Sequence, residues 1–146
     1  MKKIIFLLFV TVTLSSSVNS QTDNAKVEKA VLSYIENFFE NKFEEMNAVL
    51  HPRLSKRGLN LDGTINKDLP PLELKKLMSQ KRALPISRQE NKVENIIVFK
   101  NTATAKLITG YPNVKWAEFI HLVKVDAKWK IIDVFWEFYP REKRKN

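Results

Sequence analysis

The chain has 146 residues, no cysteine, and a formal net charge of +9 from 25 basic and 16 acidic residues. The length suits a single domain with one hydrophobic core. The lack of cysteine excludes disulfides, thiolate catalysis and cysteine-based metal sites. A basic balance raises nucleic acid, anionic lipid or acidic polymer as partner classes, but no nucleic-acid motif is present and the charge reads as solvated surface.

Lys2 and Lys3 precede an unbroken apolar run over residues 4–10 that trails into Leu14. Small residues follow at Val18-Asn19-Ser20, the pattern a signal peptidase reads. Residues 1–20 are therefore expected to be a signal peptide, with the mature chain starting at Gln21. The run is too short to span a bilayer, which takes ~20 apolar residues, and no later segment is apolar enough to be transmembrane. An uncleaved anchor is the alternative, and the absence of cysteine at the cleavage site argues against a lipid anchor. Loss of Lys2 and Lys3 leaves 23 basic against 16 acidic residues, a net charge of +7. The expected product is exported, periplasmic or secreted. Of its charge, +3 lies in a tail, Arg141-Glu142-Lys143-Arg144-Lys145.

A helix is predicted over 25–41, because Val27, Val31, Tyr34, Ile35 and Phe38 recur at three- and four-residue spacing, with Asp23 or Asn24 as cap. A short second helix runs from about Phe43 to Leu50. Pro52 ends it and puts His51 in extended geometry. Residues 54–69 read as a hairpin or two short strands around Asp62-Gly63. Pro70-Pro71 starts a third helix to about Gln80, with Leu74, Leu77 and Met78 as buried candidates. Strands follow at 92–100 and 102–109, and a loop at Gly110-Tyr111-Pro112-Asn113. The last two aromatic, β-branched runs, 116–125 and 129–138, form a hairpin turning at Asp126-Ala127. Residues 21–139 are then one domain, and Pro140 opens a tail over 140–146 expected to be disordered. Helices segregated to one face of an antiparallel sheet make an α+β fold.

With a two-residue turn, His121 opposes Ile132, Phe119 opposes Val134 and Ala117 opposes Trp136. One face then carries Ala117, Phe119, His121, Val123, Ile132, Val134, Trp136 and Phe138. It is the more uniformly apolar and is assigned to the core. The other carries Trp116, Glu118, Ile120, Leu122, Trp129, Ile131, Asp133 and Phe135. So many large apolar side chains on an outer face would be an unusual patch for a monomer. A twofold homodimer through the outer sheet face, with Trp116, Ile120, Leu122, Ile131 and Phe135 at its interface, is the expected assembly.

Three segments carry a resemblance: His51-Pro52-Arg53-Leu54-Ser55-Lys56-Arg57, Phe119-Ile120-His121-Leu122-Val123-Lys124-Val125-Asp126, and Trp129-Lys130-Ile131-Ile132-Asp133-Val134-Phe135-Trp136. Over residues 25–139 the chain resembles the nuclear transport factor 2-like superfamily, in its exported bacterial branch named putative lumazine-binding proteins. Asp126-Ala127 stands where Asp-Gly is usual, and Glu118-Phe119 where Asp-Tyr is frequent. The resemblance implies a cone: a curved, cystatin-like antiparallel sheet wrapped on three N-terminal and inserted helices, with a pocket at one end. The superfamily includes isomerases, dehydratases, polyketide cyclases and non-enzymatic binding modules, so the fold alone does not choose among them.

Tyr34, Phe38, His51, Phe119, His121 and Trp136 are the candidate ligand-binding residues. Their aromatics could stack on a flat apolar ring, although such spacing is more commonly core. His121 is the candidate catalytic base, with Tyr34 or His51 as partner. The preferred alternative is a core histidine, because its own face offers no orienting carboxylate. His51 reads equally as a helix-end residue satisfying terminal carbonyls. Lys56-Arg57 read as a solvated strand edge. Two histidines without a carboxylate pattern make a poor zinc site, and no metal or cofactor is expected. The primary expectation is an exported small-molecule-binding or scaffold module. The alternatives are an acid–base enzyme of the isomerase, dehydratase or cyclase kind, and adhesion to anionic polymer through the tail.

Overall fold

The computed structural model describes residues 14–139, with side chains from residue 22 onward. Most of the expected signal peptide and the whole basic tail lie outside the described residues. The order is α1 (Leu14–Glu40), α2 (Phe43–Asn47), β1 (Leu50–Leu59), α3 (Pro71–Ser79), a 3-10 turn (Ile86–Arg88), β2 (Lys92–Phe99), β3 (Thr102–Tyr111), β4 (Val114–Val125) and β5 (Lys128–Phe138). The sheet order is β1-β5-β4-β3-β2. β2 to β5 are antiparallel, as expected, while β1 joins the edge parallel to β5. No helix of the described residues is long and apolar enough to cross a membrane.

α1 forms the axis of the fold. Val27, Val31, Tyr34, Ile35, Phe38 and Phe39 line one side of it and are buried against the sheet. At ~1.5–3 kcal/mol for each large side chain, this stripe is a main source of stability. The helix ends at Asn41, whose φ of 60° is the left-handed conformation asparagine tolerates at a helix C-terminus. Its start differs from the expectation. Asp23 does not cap; it accepts hydrogen bonds from Lys124 Nζ at 2.6 Å and Trp129 Nε1 at 3.3 Å, fastening α1 to the last hairpin.

β1 is one strand where two were expected. The return limb reaches it only through the isolated bridges Lys56↔Leu69 and Leu59↔Ile65. In α3, Leu74 and Met78 are buried but Leu77 is exposed.

The final turn is the two-residue one expected. Asp126 and Ala127 have φ of 48° and 60°, and Val125 opposes Lys128. The register then shifts between His121 and Leu122: Leu122 opposes Ile131, but His121 opposes Asp133. Ile132 is the extra residue of a bulge, and the pairings expected for His121, Phe119 and Ala117 are each displaced by one. Further shifts lie in the β1/β5 and β2/β3 pairings. Bulges bend and twist strands, and they help curve this sheet around α1.

The face assignment of β4 is inverted. Glu118, Ile120 and Leu122 are buried inside, together with Trp129 and Ile131 of β5, while Phe119 and His121 are outside. Beyond the bulge β5 changes phase, so Val134 and Trp136 point inward, as expected, and Asp133 and Phe135 point outward. Four of the expected interface residues, Trp116, Ile120, Leu122 and Ile131, therefore belong to the interior or pack against it. Only Phe135 remains on the outer face.

Candidate functional site

The interior of the curved sheet holds a charged cluster assembled from three elements. α1 supplies Tyr34, β1 supplies Lys56, and β4 supplies Glu118 and Trp116. Lys56 Nζ donates to Glu118 Oε1 at 2.5 Å and also to the Tyr34 hydroxyl oxygen. Tyr34 in turn donates to Glu118 Oε2 at 2.8 Å, and Trp116 Nε1 donates to Oε1 at 3.0 Å. Glu118 and Tyr34 are fully buried and Lys56 nearly so. A buried carboxylate is tolerated only when paired and hydrogen-bonded, and this one has donors on both oxygens. Burial, reinforced by the adjacent Glu118 carboxylate, pushes the Tyr34 hydroxyl well above its ordinary pKa. The phenol therefore stays protonated and acts as a donor.

A second lysine lies beside this cluster. Lys81 follows α3, and Asn41 Nδ2 grips its carbonyl oxygen at 2.6 Å. The Leu84 amide donates to the Phe39 carbonyl at 2.8 Å. The two bonds strap residues 81–84 onto the end of α1. Lys81 Nζ is thereby laid over Phe38, 3.1 Å from the ring centroid, and 5.7 Å from that of Phe39. Burial first, and then repulsion from Lys56, bring its pKa down to about 7, with Glu118 opposing the shift.

An aromatic chain runs on from these rings. Phe38 meets Phe39 at 6.0 Å between centroids, Phe39 meets Trp116 at 5.7 Å, Trp116 meets Phe138 at 6.0 Å, and Phe138 meets Trp136 at 5.1 Å. Tyr111 packs edge-on to Trp116 at 6.3 Å. Trp136 rests on Gly58, its partner in β1; a Cβ there would come within 2.3 Å of the indole. Trp116 and Trp136 are half-buried, and Tyr111 and Phe138 are more exposed, so the chain of rings ends in a partly open aromatic ledge.

The candidate residues separate into two groups. Tyr34, Phe38 and Trp136 converge on this region. His51 is half-buried at the start of β1, where its Nδ1 accepts from the Arg53 amide at 3.1 Å rather than serving helix carbonyls. Phe119 and His121, expected inside, stand on the outer face at 50% and 58% exposure. The bulge brings Asp133 opposite His121, with Nδ1 to Oδ2 at 3.6 Å, and Arg57 Nη1 holds the other Asp133 oxygen at 2.9 Å. The histidine thus has a carboxylate neighbour, but on the face away from the core, and the argument for a base acting inside the cone is lost.

Sequence reasoning missed Lys56, Lys81 and Glu118. A signal was present: Lys56 alternates in phase with Leu54, and Glu118 with Ile120 and Leu122, which places both on inner faces. Among the described residues no group of three His, Asp or Glu side chains could hold a metal. A shallow depression of about 450 Å³ lies elsewhere, on the outer side of α1 along Glu28, Leu32 and Glu36.

A family model described as "Putative lumazine-binding" matches residues 22–137. Among solved structures, an NTF2-like protein of unknown function from Shewanella baltica OS155 superimposes with a TM-score of 0.72 at 16% identity, over 82% of this chain and 96% of that one. A second NTF2-like protein of unknown function, from Methylobacillus flagellatus KT, gives 0.68 at 20% identity, over 82% and 94%. A ketosteroid isomerase-like protein from Erwinia carotovora gives 0.64 at 11% identity, over 81% and 97%. At these identities the likeness is one of fold, and the fold is NTF2-like. No curated protein matches the chain.

Proposed function

The chain belongs to the "Putative lumazine-binding" family, and on that premise we propose that it is an exported module that binds a small aromatic ligand without transforming it. The observation that carries the reading is the partly open ledge of Trp116, Tyr111, Phe138 and Trp136 beside a buried charge cluster. Half-exposed rings offer a flat ligand stacking area at low entropic cost. The groups that could perform acid–base work next to them are already engaged: Glu118 accepts three donors and Tyr34 is held protonated. Their arrangement suits a rigid floor for binding better than proton transfer.

Titration with a panel of flat aromatic metabolites is expected to change tryptophan fluorescence saturably, and Trp136→Phe should remove much of the change. His121→Ala should bind like the unmodified protein, because His121 lies on the opposite face of the sheet. A panel without any saturable response would overturn the reading.

Export rests on the apolar run after Lys2 and Lys3 and the Val18-Asn19-Ser20 site. Intact mass of protein recovered from outside the cytoplasm should correspond to a chain starting at Gln21; retention of Met1 would contradict this.

The module is further proposed to be a homodimer, through an outer face different in composition from the one first expected. Ile97 at 66% exposure, Phe99 at 70% and Phe119 at 50%, with Phe135 beside them, give this face its apolar surface. Across it runs the row Glu94, Lys106, Phe119, Phe135, Arg57. A twofold axis along the strands reverses strand order between copies and lays Glu94 of one near Arg57 of the other.

A further inference from the structure

We propose that the region around Lys81 is a site for an organic anion with a flat ring, the acidic group pairing with the Lys81 ammonium and the ring lying toward Tyr111 and Trp116. The inference rests on the binding reading above and adds the charge of the ligand. It starts from the balance of charge around the cluster. Glu118 from β4 is the one carboxylate here, and Lys56 from β1 occupies it at 2.5 Å. Tyr34 from α1 is neutral. Lys81 is half-buried, and no carboxylate among the described residues lies within 4 Å of its Nζ. Its closest company is the Phe38 ring face, with Phe39 beyond. A ring face attracts a cation but does not neutralise it.

A partly buried ammonium with a second ammonium nearby and a shared carboxylate already taken is short of one negative charge. It can lose its proton or acquire an anion. The lowered pKa, about 7, reflects the first course. A bound acid would favour the second. The ledge adjoining Phe39 then selects acids that carry a ring, since Phe39 touches both Trp116 and Tyr111.

The test uses the full mature protein with two probes of nearly equal shape, 2-naphthoate and the uncharged 2-naphthamide, followed by calorimetry and tryptophan fluorescence. At pH 6.5 naphthoate should bind about tenfold or more tighter than naphthamide, the range of one charge-assisted hydrogen bond. Above pH 7 its affinity should fall about tenfold per pH unit as Lys81 deprotonates, while naphthamide should be insensitive. Lys81→Met should abolish the preference by weakening naphthoate far more than naphthamide, and Lys81→Arg should keep the preference but flatten the pH profile. Equal affinities for the two probes, or an unchanged preference in Lys81→Met, would overturn the anion site while leaving the binding module standing. Binding of neither probe would remove both.

Discussion

Glu118→Ala is expected to cost about 3–5 kcal/mol of unfolding free energy, the usual effect of removing one partner of a buried ion pair. The reason lies in what remains. Lys56 would stay nearly fully buried with no carboxylate to meet it, and the Tyr34 hydroxyl and Trp116 indole would each lose an acceptor. Against a typical domain stability of about 5–15 kcal/mol, such a loss leaves a marginal fold. Glu118→Gln should also be damaging, because an amide carries no charge to meet the buried Lys56 ammonium and offers one acceptor oxygen where three donors converge on two. Replacing the set together, Tyr34→Phe with Lys56→Met and Glu118→Leu, should recover most of the stability, since an apolar core of similar volume dispenses with the desolvation of both charges. Urea unfolding of the single and combined variants measures this as a coupling energy. A Glu118→Ala variant within about 1 kcal/mol of the unmodified protein would show that the cluster does not hold the core together.

The same cluster explains where sequence and structure part. Helix α1 was legible because its buried positions repeat at three and four residues, and the turn at Asp126-Ala127 because it interrupts two aromatic, β-branched runs. The hairpin faces were not legible, for two physical reasons. The first is the bulge at Ile132, which changes the phase of β5 while keeping both strands and their turn; nothing in an uninterrupted apolar run marks which residue is extra. The second is Glu118. Sorting faces by apolarity sends the strand with a carboxylate outward, yet this carboxylate is inside because Lys56, Tyr34 and Trp116, distant in sequence, meet it there. Buried charge is invisible to a one-strand reading and visible only when both partners are placed. Lys81 stands in the sequence among Lys75, Lys76 and Arg82, where nothing marks it for burial; its burial comes from Asn41 gripping its carbonyl, a contact across forty residues. Tyr34, Phe38 and Trp136 face the interior as expected, because their orientation depends on α1 periodicity or on the part of β5 beyond the bulge.

A double variant, Ile97→Lys with Phe119→Glu, is expected to be a folded monomer at micromolar concentration, against the dimer proposed for the unmodified mature protein. Both side chains are on the outer sheet face and more than half of Ile97 is exposed, so charge there should leave the core intact. In a face-to-face dimer the two new charges would be buried in each interface half, and burial of unpaired charge is costly enough to dissociate it. The choice of residues matters. Ile120, first assigned to this interface, is 1% exposed and lies in the hydrophobic core; a charge there would unfold the chain and say nothing about assembly. Circular dichroism should therefore report an unchanged fold in the double variant, while sedimentation or light scattering reports half the mass. The strand order gives the contact its partner: Glu94 at the β2 side and Arg57 at the β1 side would approach each other twice across the axis, so Arg57→Glu alone should weaken the dimer and reverse its salt dependence, because added salt then screens a repulsion instead of an attraction. An unmodified protein that is already monomeric at that concentration would refute the dimer, and would leave Ile97, Phe99 and Phe119 as an apolar face meeting solvent.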